Sequence, residues 1–223
     1  MLDFVLNIVE QTVEYRGFGL NALTVGAAGA LALLLFEAWA LIQQARTIWR
    51  DRSADILSTY WFGYTACFAA AYVPYGIAIQ SGTLVFTCTV WSALHIPILW
   101  GIHKFRGYTA KETVTMGAFV LMVPVMIWLP WIDLAYLVFS VGMVYAFATQ
   151  TWELWKEEKT GSLEIKLLAV YIVSTTFWTI YVFAINALAL MILNPVILTI
   201  TIATVTLWCK YKKRELAAAA SNK

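Results

Sequence analysis

One stretch of this chain occurs twice, and that restricts the folds open to it more than any other feature. Residues 43–76 read QQARTIWRDRSADILSTYWFGYTACFAAAYVPYG, and residues 149–182 read TQTWELWKEEKTGSLEIKLLAVYIVSTTFWTIYV. At one constant spacing, the 106 residues that separate Gln44 from Gln150, Trp49 meets Trp155, Arg50 meets Lys156, Asp51 meets Glu157, and Leu57 meets Leu163. Further on, Tyr72 meets Trp178 and Tyr75 meets Tyr181. Several of these matches fall in a polar connector, where an apolar bias in composition cannot produce them. A repeat decides the architecture before any local reading does.

Composition says where such a repeat can live. Of the 223 residues, 61% are apolar and only 13% charged, against about 25% charged in a typical soluble domain. Too little polar surface is available to cover a water-soluble globule, so the chain is expected in a membrane. Its net charge of +2 forms no basic stripe, which argues against a nucleic-acid partner. Cys67, Cys88 and Cys209 all lie in apolar segments, with neither a disulfide framework nor a metal-ligand spacing. They read as small buried hydrophobes.

A membrane-spanning helix needs roughly 20 apolar residues. Seven such segments are expected, near residues 21–43, 58–79, 83–103, 114–131, 134–155, 166–186 and 189–209. The last two form one nearly continuous apolar run, too long for a single crossing, with a turn expected near Asn186–Ala187. The fourth carries Pro124 and Pro130, which a membrane helix tolerates when neighbours re-satisfy the freed backbone groups. Residues 1–18 place Leu2, Val5, Ile8, Val9 and Val13 at helical spacing and predict a short amphipathic helix; without a basic leading region it is not expected to be a cleaved signal.

Lysine and arginine set the expected orientation. Arg46, Arg50 and Arg52 follow the first segment; Lys104, Arg106 and Lys111 follow the third. Lys156, Lys159 and Lys166 follow the fifth, and the tail holds Lys210, Lys212, Lys213, Arg214 and Lys223. Fourteen of the fifteen basic residues thus fall on one side, with Arg16 alone on the other. Seven crossings then put the N-terminus outside and the C-terminus in the cytosol. Each repeat copy has three helices, an odd number, so one further helix between the copies restores a like orientation. The expected fold is all-α, two parallel three-helix repeats joined by a linker helix, 3+1+3. Its parts are an N-terminal helix (1–18), a first repeat (20–107), a linker (112–132), a second repeat (133–212) and a cytosolic tail (213–223). Parallel repeats of this kind are one plan of membrane transporters.

At these residues the chain resembles the PQ-loop families, which include the SWEET sugar transporters. Gln44, Arg52, Ser53, Leu57 and Ser58 resemble the family's repeat motif in the first copy. Gln150, Lys159, Thr160, Gly161 and Leu163 match it more loosely in the second. The runs Tyr72-Val-Pro-Tyr-Gly76 and Phe177-Trp-Thr-Ile-Tyr181 also look like the family, and the resemblance covers about residues 25–212. It implies a transporter that works by alternating access. The proline of the Pro-Gln pair is replaced by Gln43 and by Thr149. Hinges would then lie elsewhere, at Pro74, Pro97 or Pro195, or the protein would move little. Gln44 and Gln150 mark the expected gating ends.

SWEET-like transporters set a Trp against an Asn around the sugar, and the resemblance carries this to Trp178 and Asn194 in the second copy and to Tyr72 and Cys88 in the first. An indole stacks on the apolar face of a sugar ring, and an amide offers donors and an acceptor to hydroxyls. Alternatively, Trp178 is packing and Asn194 bonds a neighbouring helix. Loss of the amide at Cys88 points to a different or asymmetric ligand.

Glu37 lies mid-segment in LALLLFEAWAL, and its twin is Met143. A charge at the bilayer centre costs about 2.5 kcal/mol or more, which makes an intramembrane acid a functional candidate. It reads either as a ligand-binding or proton-coupling acid or as a neutral acid bonded to another helix. His95 is its possible coupling partner, or a packed histidine. Trp49, Trp61, Trp100, Trp128, Trp131, Trp152, Trp155 and Trp208 fall near segment ends as an interfacial belt, and Gly26 and Gly29 read as close helix packing. No enzyme motif, metal set or cofactor site is visible.

The expected function is a multi-pass transporter of the cell (inner or plasma) membrane that moves a small polar solute, a sugar foremost. A non-transporting receptor or scaffold, or a proton-coupled amino-acid transporter using Glu37, are the alternatives. The expected partners are the lipid bilayer and the solute, with homo-oligomerisation left open.

Overall fold

A computed structural model describes residues 10–78, 80–128, 132–184 and 188–221. Among these residues the regular structure is entirely helical. The elements are α1 (Val13–Arg16), α2 (Ala22–Asp51), α3 (Thr59–Ala78), α4 (Gly82–Phe105), α5 (Ala110–Trp128), α6 (Ile132–Glu157), α7 (Ile165–Ala184) and α8 (Leu188–Ser221). Among the described residues three stretches are both long and apolar enough to cross a membrane, Leu23–Asp51, Gly82–Phe105 and Met191–Ala220; Ile165–Thr179 is apolar but shorter. The outer faces of these helices carry Leu35, Phe36, Ile96 and Ile202, all exposed, as lipid-facing surface requires. The turn expected near Asn186–Ala187, together with Pro130 and Trp131, lies outside the described residues.

Two helices outrun their apolar segments. α2 starts at Asn21, whose side chain accepts from the Thr24 amide at 2.9 Å, and continues past residue 43 to Asp51. Gln, Ala and Arg are good helix formers and nothing breaks the run QQARTIWRD, so Arg46 and Arg50 are on the helix and not in a loop. The helix ends where Arg52 turns left-handed (φ 50°), and α6 ends at its twin Glu158 in the same conformation (φ 51°). α8 has 34 residues, about 50 Å at 1.5 Å per residue, so the tail expected from residue 213 is helical in its described part. At the other extreme, residues 1–9 of the short helix expected over 1–18 lie outside the described residues, and the rest is not one helix. Thr12 is extended and caps the single turn α1, its hydroxyl accepting from the Tyr15 amide.

Helix packing repeats as the sequence does. α4 packs against both α2 and α3; α8 packs against both α6 and α7. Two contacts join the triplets, α2 on α7 and α3 on α6, and each maps onto the other when the copies are exchanged. α5 lies against α3. Both joining contacts are tight. A methyl group placed at Gly29 would sit 2.1 Å from the Phe177 ring, and one at Gly142 would sit 2.2 Å from the Tyr64 hydroxyl. Tyr64 and Tyr136 pin α3 to α6 by donating to the carbonyls of Phe139 and Ala71 respectively.

Hydrogen bonds also gather the polar connectors at one end of the bundle. Arg106 donates to the Leu57 carbonyl at 3.0 Å and to Thr59, and pairs with Glu112. Glu215 accepts from the Thr160 amide at 2.7 Å, and Arg214 meets Glu158 at 3.2 Å. At the opposite end α1 docks on the start of α4, with the Val13 amide donating to Gln80 at 3.0 Å. One tryptophan of the expected belt is misplaced by sequence reading. Trp49, Trp100, Trp128, Trp152 and Trp155 are exposed, but Trp61 is buried, its ring 5.5 Å from both Phe147 and Tyr171. Trp208 is half-buried and donates to the Leu163 carbonyl at 2.9 Å.

Candidate functional site

Between the two triplets lies a cavity of about 170 Å³, lined by α2, α3, α4, α6, α7 and α8. Its walls reproduce the repeat. Fourteen of its seventeen described lining residues fall into seven pairs at the spacing of Gln44 and Gln150. These are Glu37 with Met143, Phe68 with Ser174, Ala69 with Thr175, Tyr72 with Trp178, Thr87 with Leu193, Cys88 with Asn194, and Trp91 with Ile197. Equivalent positions of the two copies therefore face one space.

Tyr72, Cys88, Trp178 and Asn194, named from the sequence, all line this cavity, and so does Glu37. Tyr72 is held edge-on to Tyr136, ring centres 4.5 Å apart, one helix turn from Phe68. Asn194 is half-buried and precedes Pro195 inside α8. Glu37 sits midway along α2, buried, and accepts a hydrogen bond from the Ser174 hydroxyl on α7. The acid thus sits at the joining contact of the two triplets and at the cavity wall at once.

His95 is not brought to Glu37 in the cavity wall. It is wholly buried one turn beyond Trp91, its Nδ1 2.7 Å from the Trp91 carbonyl and its ring against Phe62 and Trp91. Its Nε2 has no protein partner, and neither do Trp61 Nε1, Trp91 Nε1 or the Tyr171 hydroxyl, among the described residues. Their rings adjoin, with Tyr171 5.5 Å from Trp61 and 6.2 Å from Trp91. An unpaired buried polar atom costs about 1–3 kcal/mol, so this cluster is one an ordered water or a ligand would satisfy. Sequence reading missed Trp91, Tyr171 and Ser174. Only their place in the repeat, not their residue type, could have marked them.

Toward the end where the connectors gather, two glutamines tie the triplets together. The Gln44 amide donates to the Ser162 carbonyl at 2.8 Å and accepts from the Glu164 amide at 2.9 Å. The Gln150 amide donates to the Ile56 carbonyl and accepts from the Ser58 amide, both at 2.9 Å. Ile56 and Ser58 are the twins of Ser162 and Glu164, so the two clasps are the same bond pattern made twice. Both side chains are buried. The position of the missing proline is also engaged, since Thr149 shares a 2.6 Å hydroxyl contact with Ser58. Glu37 precedes Gln44 by two helical turns, about 10 Å along the axis, which puts the cavity between the clasps and the α1 end.

No family model, curated protein or solved structure matches the chain. The site is therefore described by its own chemistry: a small, largely aromatic cavity between two equivalent helix triplets. Among the described residues its lining carries one carboxyl group, one amide and one thiol, and the reciprocal glutamine clasps lie toward one end of the bundle from it.

Proposed function

We propose that the chain is a SWEET-like, PQ-loop-type transporter that carries a small polar solute across a membrane by alternating access of two like-oriented bundles. The reading takes the architecture as seven crossings in a 3+1+3 arrangement, N-terminus outside and C-terminus in the cytosol. The observation that carries it is the pairing of twin residues around one cavity. A site set between two packed bundles is opened to one face or the other by rocking of one bundle against its partner around it, which is how repeat-built carriers achieve alternating access.

In this reading the state described is closed at the cytosolic end. Opening it breaks four hydrogen bonds to buried glutamine side chains, each worth about 0.5–1.5 kcal/mol net. That range is small enough for solute binding to offset and large enough to hold the gate shut without it. Bending falls to Pro74, Pro97 and Pro195, which lie inside α3, α4 and α8 and interrupt the backbone ladder. Trp178, Asn194, Tyr72 and Cys88 contact the solute, and Glu37 biases its charge. Sugar is the solute class that the resemblance implies.

Uptake by proteoliposomes across a panel of sugars, amino acids and amines, with and without a pH gradient, tests this. Saturable flux that falls at least tenfold in Trp178→Ala and Asn194→Ala is the expected result. Absence of flux for every solute from folded protein would overturn transport. It would favour instead a receptor or scaffold, the reading supported by the complete satisfaction of both clasps and by the absent Pro-Gln prolines.

A further inference from the structure

We infer that the ligand of this cavity carries one positive charge, and that it is a small organic ammonium seated against Glu37. The inference rests on the cavity being the solute site proposed above. Among the described residues Glu37 is the one charged residue in the lining; no Lys, Arg or His is there to balance it. Its single hydrogen bond, from Ser174, engages Oε1 and leaves Oε2 without a protein partner among the described residues. A carboxylate removed from water needs a counter-charge or several donors, and the protein provides neither at this place. Because the twin wall position is Met143, also in the lining, packing of the repeat does not require an acid here.

The rest of the lining suits a cation. Phe68, Tyr72, Trp91, Phe147, Tyr171 and Trp178 surround the space, and the negative face of each ring attracts an ammonium that meets it. Two hydroxyls of the lining are not free for a sugar. The Thr87 hydroxyl is spent on the carbonyls of Thr83 and Leu84, and that of Ser174 on Glu37. What remains among the described residues is the Asn194 amide, the Cys88 thiol, the Thr175 hydroxyl and the unpartnered Trp91 Nε1 and Tyr171 hydroxyl, none of which answers the charge of Glu37. At about 170 Å³ the space suits a molecule near the size of benzene, which fills a cavity of about 150 Å³; choline is of that order.

The test uses the full chain in lipid nanodiscs, titrated calorimetrically with choline beside its uncharged carbon isostere dimethylbutanol, and with phenethylammonium beside phenethyl alcohol. At least one ammonium is expected to bind tenfold or more tightly than its isostere. In Glu37→Gln the ratio falls below twofold while the isostere's own affinity is kept, which also shows that the variant is folded; Glu37→Asp retains the preference. Equal binding within each pair, a preference that survives Glu37→Gln, or no binding by either ammonium would overturn the inference. Proteoliposome flux separates it from the transport reading. Ammonium binding without flux keeps the charge assignment and removes transport, and sugar flux without ammonium binding does the reverse.

Discussion

Gln44 and Gln150 show what one residue type does in this chain. Each glutamine is buried and answers one carbonyl and one amide of a connector more than ninety residues away in sequence. Replacing either with alanine leaves that carbonyl and amide unpaired, at about 1–3 kcal/mol. Gln44→Glu keeps the shape but turns the donor into an acceptor facing the Ser162 carbonyl, so it is expected to cost at least as much. Thermal unfolding in detergent should show similar losses for Gln44→Ala and Gln150→Ala, because the two sites are equivalent. A large loss in one and none in the other would contradict that equivalence. The glutamines themselves were legible in the sequence as aligned members of the repeat. Their partners were not, because backbone carbonyls and amides have no residue identity to read. Glu37 was legible as a lone acid in an apolar helix, but its partner Ser174 was not, since a serine in a membrane helix usually bonds its own backbone.

At the scale of elements, sequence reading located the helices well and their ends poorly. Apolar content marks where lipid contact stops, but a helix stops only where its backbone finds a cap or a left-handed residue. Hence α2 runs to Asp51 and α8 to Ser221. Trp61 was misplaced for a related reason. Proximity to a segment end suggested the interface, whereas the joining contact with the second triplet buries it. The start of α4 carries a testable electrostatic contact. Glu14 on α1 accepts from the Ser81 hydroxyl and from the amides of Gly82 and Thr83 at 3.2 and 3.3 Å. Burial alone would raise its carboxyl, but these hydrogen bonds outweigh it and hold the group below its ordinary value of 4.5. A depressed folded-state value means the contact is at full strength above the ordinary value and is lost as pH falls through the lowered one. Hydrogen exchange at Gly82 and Thr83, corrected for intrinsic rates, should therefore lose protection as pH drops below about 4.5. Glu14→Gln should be weakly protected and flat with pH; a wild-type profile equally flat would sink the contact.

The whole molecule is organised by two helix triplets with equivalent packing. Exchange of the two copies maps α2 on α7 onto α3 on α6, maps one glutamine clasp onto the other, and maps the cavity lining largely onto itself. Where the copies differ, at Glu37 and Met143 or at Cys88 and Asn194, the site is asymmetric. Those differences fix what it can hold. The proposed 3+1+3 reading has α5 invert the chain between two like-oriented copies, which makes the number of crossings odd. Single cysteines at Tyr15 and Leu216, both exposed, in a chain whose Cys67, Cys88 and Cys209 are replaced, report this directly through a membrane-impermeant maleimide applied to intact cells and to inverted vesicles. Labelling of Tyr15→Cys only in intact cells and of Leu216→Cys only in inverted vesicles is the expected result. Labelling of both from the same face would contradict the like-oriented pair.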